Sequence, residues 1–216
     1  MTQEIKPDKE ELEEARKIVE KALNEAKKEL EIKTKVKVSL GWTAKEFVIN
    51  NMDGASGYAK YPNILDIEFN TTADKWQESL RASVFHEYAH VWDYEQRGRK
   101  WEKRWQYILG EALTQHFAKQ NAEYESPWRT KHSREKVAEF WEELRDNEIE
   151  KDMEDVAPTG RDPVFINQGD GKYPNWLGYS LAYQIGKKLL KQHKLKDFPD
   201  LEKEDLIKAG NKLYNN

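Results

Sequence analysis

The chain contains no cysteine, and its 216 residues include only five histidines, three methionines and seven prolines. The missing cysteine excludes a disulfide scaffold, a cysteine-ligated zinc module, an iron–sulfur site and a thiol nucleophile. Metal chemistry, if there is any, must rest on His, Asp and Glu. No run approaches the roughly 18 apolar residues of a membrane span, so no membrane partner is expected. The opening MTQEIKPDKEELEEARK lacks the apolar core of a secretory signal. A cytoplasmic location is therefore the expectation, with a mature secreted form as the alternative. The formal net charge is only -4, which provides no basic field to attract nucleic acid.

What is abundant is charge, at 35% of residues, and large aromatics: eight Trp and ten Tyr. Segments that stay unfolded are poor in aromatics, so these imply a packed core. At roughly 150 residues per domain, the length fits one domain. We expect residues 1–72 to form a helix-and-sheet lobe and residues 73–216 a mainly helical one.

The periodicity supports that division. Leu12, Ala15, Val19, Ala22, Leu23, Ala26 and Leu30 recur at helical spacing, which predicts an amphipathic helix over about 8–30. Residues 35–40 alternate polar with apolar, as a half-buried strand does. Glu46–Ile49 is a second strand candidate, and residues 53–57 read as a glycine turn. Leu65, Ile67 and Phe69 alternate cleanly within a third strand over 63–69. Thr71 is placed to cap the helix that follows and runs to about Glu95. Further helices are expected over about 101–124, 133–150, 176–193 and 202–213, with an irregular stretch over 157–171. The fold class is therefore α+β, with a small antiparallel sheet.

His86-Glu87-Tyr88-Ala89-His90 is an HExxH sequence inside a segment that reads independently as helix. Residues four apart on a helix lie about 40° apart around its axis and one turn along it. Two imidazoles so placed can bind one Zn²⁺. Glu87 then sits beside the metal, able to hold and deprotonate a water. A catalytic zinc needs a third protein ligand and an open position. The metzincin pattern would require Gly and His where this chain has Asp93 and Gln96. Glu111, on the next expected helix, is the better candidate: a carboxylate among Ile108, Leu109, Ala112 and Leu113 needs a partner if buried.

HEYAH followed by GEALTQHF resembles the gluzincin arrangement, with HExxH on one helix and a Glu ligand on the next. The order NILDIEFN, HEYAHVWD, GEALTQHF, WLGYSLAYQIG over residues 60–195 resembles an uncharacterised family of predicted zinc-dependent proteases. The resemblance implies a zincin-like fold, one catalytic zinc on His86, His90 and Glu111, and Glu87 as general base. It also implies a zinc-dependent metalloprotease activity on peptide or protein substrates. Gln115 departs from the pattern, since gluzincins often carry an acid four residues after the ligand Glu to orient a ligand histidine. Asp93 is an alternative source of that support.

Peptide hydrolysis also needs a donor to the developing oxyanion. Tyr179 and Tyr183 lie four apart on the late helix, and Gly178-Tyr179 matches the family motif. Tyr179 is the candidate catalytic donor, and core packing is the other reading of both. Strand 63–69 is either a plain sheet strand or the edge along which an extended substrate pairs. His116 reads as a packed residue, and His132 and His193 as surface. Arg97–Trp105 is basic with interleaved Trp, as a nucleic-acid surface would be. The acidic balance and the helical spacing of Trp101 and Trp105 favour packing instead. Two other functions remain open: a zincin-like binding or regulatory module with little or no catalysis, and a nucleic-acid-associated protease.

Overall fold

The computed structural model describes residues 6–157, 162–166 and 171–215. Among them the order is α1 (Lys9–Glu29), β1 (Lys37–Trp42), α2 (Glu46–Asn51), β2 (Ala55–Lys60), β3 (Ile64–Phe69), α3 (Trp76–Arg97), α4 (Arg104–Ala122), α5 (Arg134–Asn147), α6 (Met153–Val156), α7 (Leu177–Leu189) and α8 (Lys203–Tyr214). The architecture is α+β: a three-stranded sheet and otherwise helices. The chain divides into two compact units, residues 1–99 with 117–127 and residues 100–116 with 128–216.

In the first unit, α1 begins with a capping box. The Asp8 carboxylate accepts from the N–H groups of Glu10 and Glu11, and Glu11 reaches back to the Asp8 N–H. Its buried stripe is mostly small, with Ala15, Val19, Ala22 and Ala26, so its backbone lies close to α3. The Tyr88 hydroxyl of α3 donates to the Leu30 carbonyl at 2.9 Å and ties the end of α1 down.

The sheet order is β1-β3-β2, with β1 parallel and β2 antiparallel to β3. The sheet is mixed, not antiparallel as expected, because the chain leaves β1, passes through α2 and enters the sheet on the far side of β3. Leu65, Ile67 and Phe69 of β3 are buried as their alternation implied, each contributing about 2 kcal/mol of burial.

Three local expectations fail. Residues 46–51 are helical, not a strand. A short apolar run carries no period, and only Val48 of α2 is buried. The turn over 53–57 is confined to Asp53 and Gly54, which take positive φ, and β2 begins at Ala55. Thr71 caps no helix: Asn70 Oδ1 accepts from the Thr72 N–H at 2.9 Å in a local turn, and α3 starts at Trp76. Strand β3 also offers no edge to a substrate, because both its sides are paired within the sheet. The outer strands are β1 and β2.

In the second unit, Ser133 caps α5, accepting from the Lys136 N–H, and Val137, Trp141 and Leu144 form the buried stripe of that helix. Trp141 lies against Gly210 of α8 and donates from Nε1 to Asn211 at 2.9 Å. Helix α7 buries Leu177, Leu181, Ile185 and Leu189. Trp101 does not share a helix face with Trp105. It precedes α4 and folds back over Gly110 of that helix, with its ring 4.9 Å from that of Tyr107. Arg104, part of the basic run, is fully buried. Its guanidinium is paired with Asp162 (2.6 and 3.0 Å) and with Glu148. The irregular stretch over 157–171 lies partly outside the described residues. Within it, Asp162 turns the chain by accepting from Phe165 and Ile166 at its carbonyl.

Candidate metal centre

Helix α3 is buried almost all round from Ser79 to Tyr94, as befits a helix enclosed by other elements rather than lying on a surface. Its HExxH residues are therefore interior: His86 is 8%, Glu87 7% and His90 5% exposed. The Nε2 atoms of His86 and His90 converge to 3.0 Å, with the rings edge to face. Burial lowers the His90 imidazole to about 3, and the charge of Asp93 offsets only part of this. The ring is thus neutral near pH 7, the form that ligates metals. The Asp93 carboxylate is itself fully buried and takes the Arg97 Nε–H at 3.0 Å on both oxygens.

Glu87 projects from the same helix toward β2. A Cβ built on Gly57 would stand 2.4 Å from Glu87 Cγ and 3.0 Å from its Cδ and Oε1. The glutamate side chain lies directly over the backbone of that strand.

Glu111 is 2% exposed on α4, where Ile108, Leu109, Ala112 and Leu113 have no exposure at all. His86, His90 and Glu111 form a buried group able to hold a metal ion: each offers one ligand atom, and these atoms all lie within 4.8 Å of one another. The donor set fits zinc. Two nitrogens about 2.0–2.1 Å from a tetrahedral zinc stand about 3.3 Å apart, close to the observed separation. A buried carboxylate among aliphatic side chains is also the kind of group a cation stabilises.

In the second unit, α7 seats on α4 through residues that follow Glu111. Gln115 Nε2 donates to the Tyr179 carbonyl at 3.1 Å, and His116 Nε2 approaches the Tyr183 carbonyl at 2.9 Å while its ring stacks on that of Tyr183. Gly186 gives His116 and Ala112 room: a Cβ there would be 2.7 Å from the histidine ring. His116 is thus a packed residue, as the sequence suggested. The Tyr183 ring is built into that packing, with the Arg129 guanidinium 5.5 Å from its centre. Tyr179 is half-buried, its ring set edge-on against Phe165 at 5.1 Å. His132, expected at the surface, is half-buried: its Nε2 is 2.7 Å from the Asn175 carbonyl, and its N–H donates to Ser180.

Two contributors escaped the sequence reading. Gly57 looked like a turn glycine, although the strand periodicity that resumes at Ala55 could have placed it. Phe165, which flanks Tyr179 and fills the space above Gly178, carries no local signal.

The family described as predicted Zn-dependent protease (DUF2268) matches residues 15–208, and the chain belongs to it. No curated protein and no solved structure matches the chain. Among the described residues, no helix is long and apolar enough to cross a membrane.

Proposed function

We propose that the protein is a zinc-dependent metallopeptidase of zincin-like type. The observation that carries this reading is the buried His86, His90 and Glu111 group beside the HExxH glutamate. Those three side chains would hold one zinc, which would supply Lewis-acid polarisation of the scissile carbonyl and acidify water. Glu87 would take the proton of the attacking water and pass it to the leaving amine. Tyr179 would donate to the oxygen on which negative charge develops. Family membership and the neutral state of His90 support the assignment. A peptide or protein substrate would pair with an outer strand. β2 suits this better than β3, because Glu87 lies against β2.

The test is metal content together with Glu87→Gln. The variant should keep zinc near one equivalent and lose about 10²–10⁴-fold in turnover. A wild-type protein that takes up no zinc at stoichiometric supply would overturn the proposal.

One observation favours a second reading, a binding or regulatory module with little catalysis. Gln115, where gluzincins often carry an acid, commits its amide N–H to the Tyr179 backbone. That reading expects bound zinc and no cleavage of a denatured-protein or peptide library.

A further inference from the structure

Gly57 has no backbone reason to be glycine. Among the described residues the glycines with positive φ are Gly54 and Gly98, whereas Gly57 lies inside β2 in ordinary strand conformation. A glycine in a strand interior costs stability through backbone entropy and lost packing. Its inner-face neighbours Ala55 and Ala59, two residues away on either side, are both buried and both carry a Cβ. Along that face the side chain is removed only at the position Glu87 covers. A Cβ there would meet Glu87 Cγ at 2.4 Å, well inside carbon–carbon contact at roughly 3.5–4.0 Å.

We infer that Gly57 is a positioning residue for Glu87: its bare backbone is the seat that fixes where the general base stands. The inference rests on the peptidase reading above and deepens it. Any side chain at 57 must push Glu87 Cγ aside by about 1 Å to restore normal contact. A misplacement of that size can cost about 10²-fold in rate. The zinc-binding imidazoles point from α3 by their own rotamers, so the metal site need not move with the glutamate.

The test is Gly57→Ala, measured for zinc content, kcat and KM. The expected result is zinc near one equivalent, KM within about twofold of wild type and kcat lower by about 10²-fold. A melting-temperature cycle with Glu87→Ala provides a readout independent of turnover. Gly57→Ala should lower Tm when Glu87 is present. With Glu87→Ala it should leave Tm unchanged or raise it, since the clash is gone and alanine restricts the unfolded chain more than glycine does.

If Gly57→Ala does not fold, a folded double variant supports the seat, and an unfolded one overturns it. A zinc-loaded Gly57→Ala enzyme with wild-type kcat overturns the inference while leaving the peptidase reading standing. A wild-type protein that holds zinc and cleaves nothing overturns the peptidase reading, and the catalytic role of Gly57 with it.

Discussion

His86 and His90 turn their Nε2 atoms toward each other at 3.0 Å inside the most enclosed helix of the fold. At that separation one ring can donate to the other, or both lone pairs can face one cation. The second arrangement predicts strong coupling between zinc and stability. Metal at about 1,000 times its Kd adds about 4 kcal/mol to a fold that binds it only when native. Chelation should therefore lower Tm by several degrees, and zinc should restore it. His90→Ala should abolish both the shift and the bound metal, as read by elemental analysis and calorimetry. An unchanged Tm on chelation would point instead to a direct histidine–histidine hydrogen bond.

Much of this site was legible in the sequence because its signals are local. The HExxH spacing, the helical period around it and the aliphatic run around Glu111 each need only a few neighbouring residues. What stayed hidden depends on distant partners. Nothing in Lys37–Trp42 says that its neighbour is β3 in parallel rather than the strand next in sequence. Gly57 is explained only by Glu87, which reaches it from another element. Arg104 looked like one more charge in a basic run, and only the positions of Glu148 and Asp162 take it inside. The helix α2 is hidden because the apolar run within Glu46–Ile49 is too short to show a period.

Gln115 should not be improved by restoring the acid common in gluzincins. The side chain is fully buried, and its Nε2–H is the donor to the Tyr179 carbonyl. Gln115→Glu removes that donor and buries a carboxylate in its place. Inside α7 the Tyr179 carbonyl also takes a helical N–H from four residues on, so the direct loss is one hydrogen bond, about 0.5–1.5 kcal/mol, before any charge burial is counted. The variant should melt several degrees lower and bind zinc no more tightly. A tighter-binding variant of undiminished Tm would show that the Tyr179 carbonyl does not depend on Gln115.

Arg104 satisfies two carboxylates at once, and its loss should be among the most damaging single changes. Its Nε and Nη2 engage both oxygens of Asp162, and Nη1 engages Glu148. Burial raises the Asp162 carboxyl above its ordinary value, and the guanidinium counters only part of this. Arg104→Ala leaves buried charge uncompensated, for which about 3–5 kcal/mol is typical. Without the guanidinium that lowers it, the folded Asp162 carboxyl lies higher still in the variant, so acid stabilises the folded variant more than it stabilises wild type. The stability gap to wild type should therefore be widest near neutral pH and narrow as pH falls, as urea titrations across pH would record. A gap of constant size would place the damage in lost packing rather than in stranded charge.

Glu95 should give the opposite slope. It is half-buried near the end of α3, and its carboxylate accepts the backbone N–H groups of Lys33 (3.0 and 3.1 Å) and Thr34 (2.8 Å). Burial alone would raise it, but these hydrogen bonds to the charged form outweigh burial and hold it below 4.5. The unfolded chain then binds the proton more readily than the folded one. The stabilisation is present above pH 4.5 and is lost as pH falls through the lowered folded value. Glu95→Gln keeps the shape and removes the titrating charge. Wild type should melt higher than the variant at about pH 6, and the two should converge as pH falls through the lowered folded value of Glu95. Parallel melting curves across that range would mean that the loop after α1 is held by something other than the Glu95 charge.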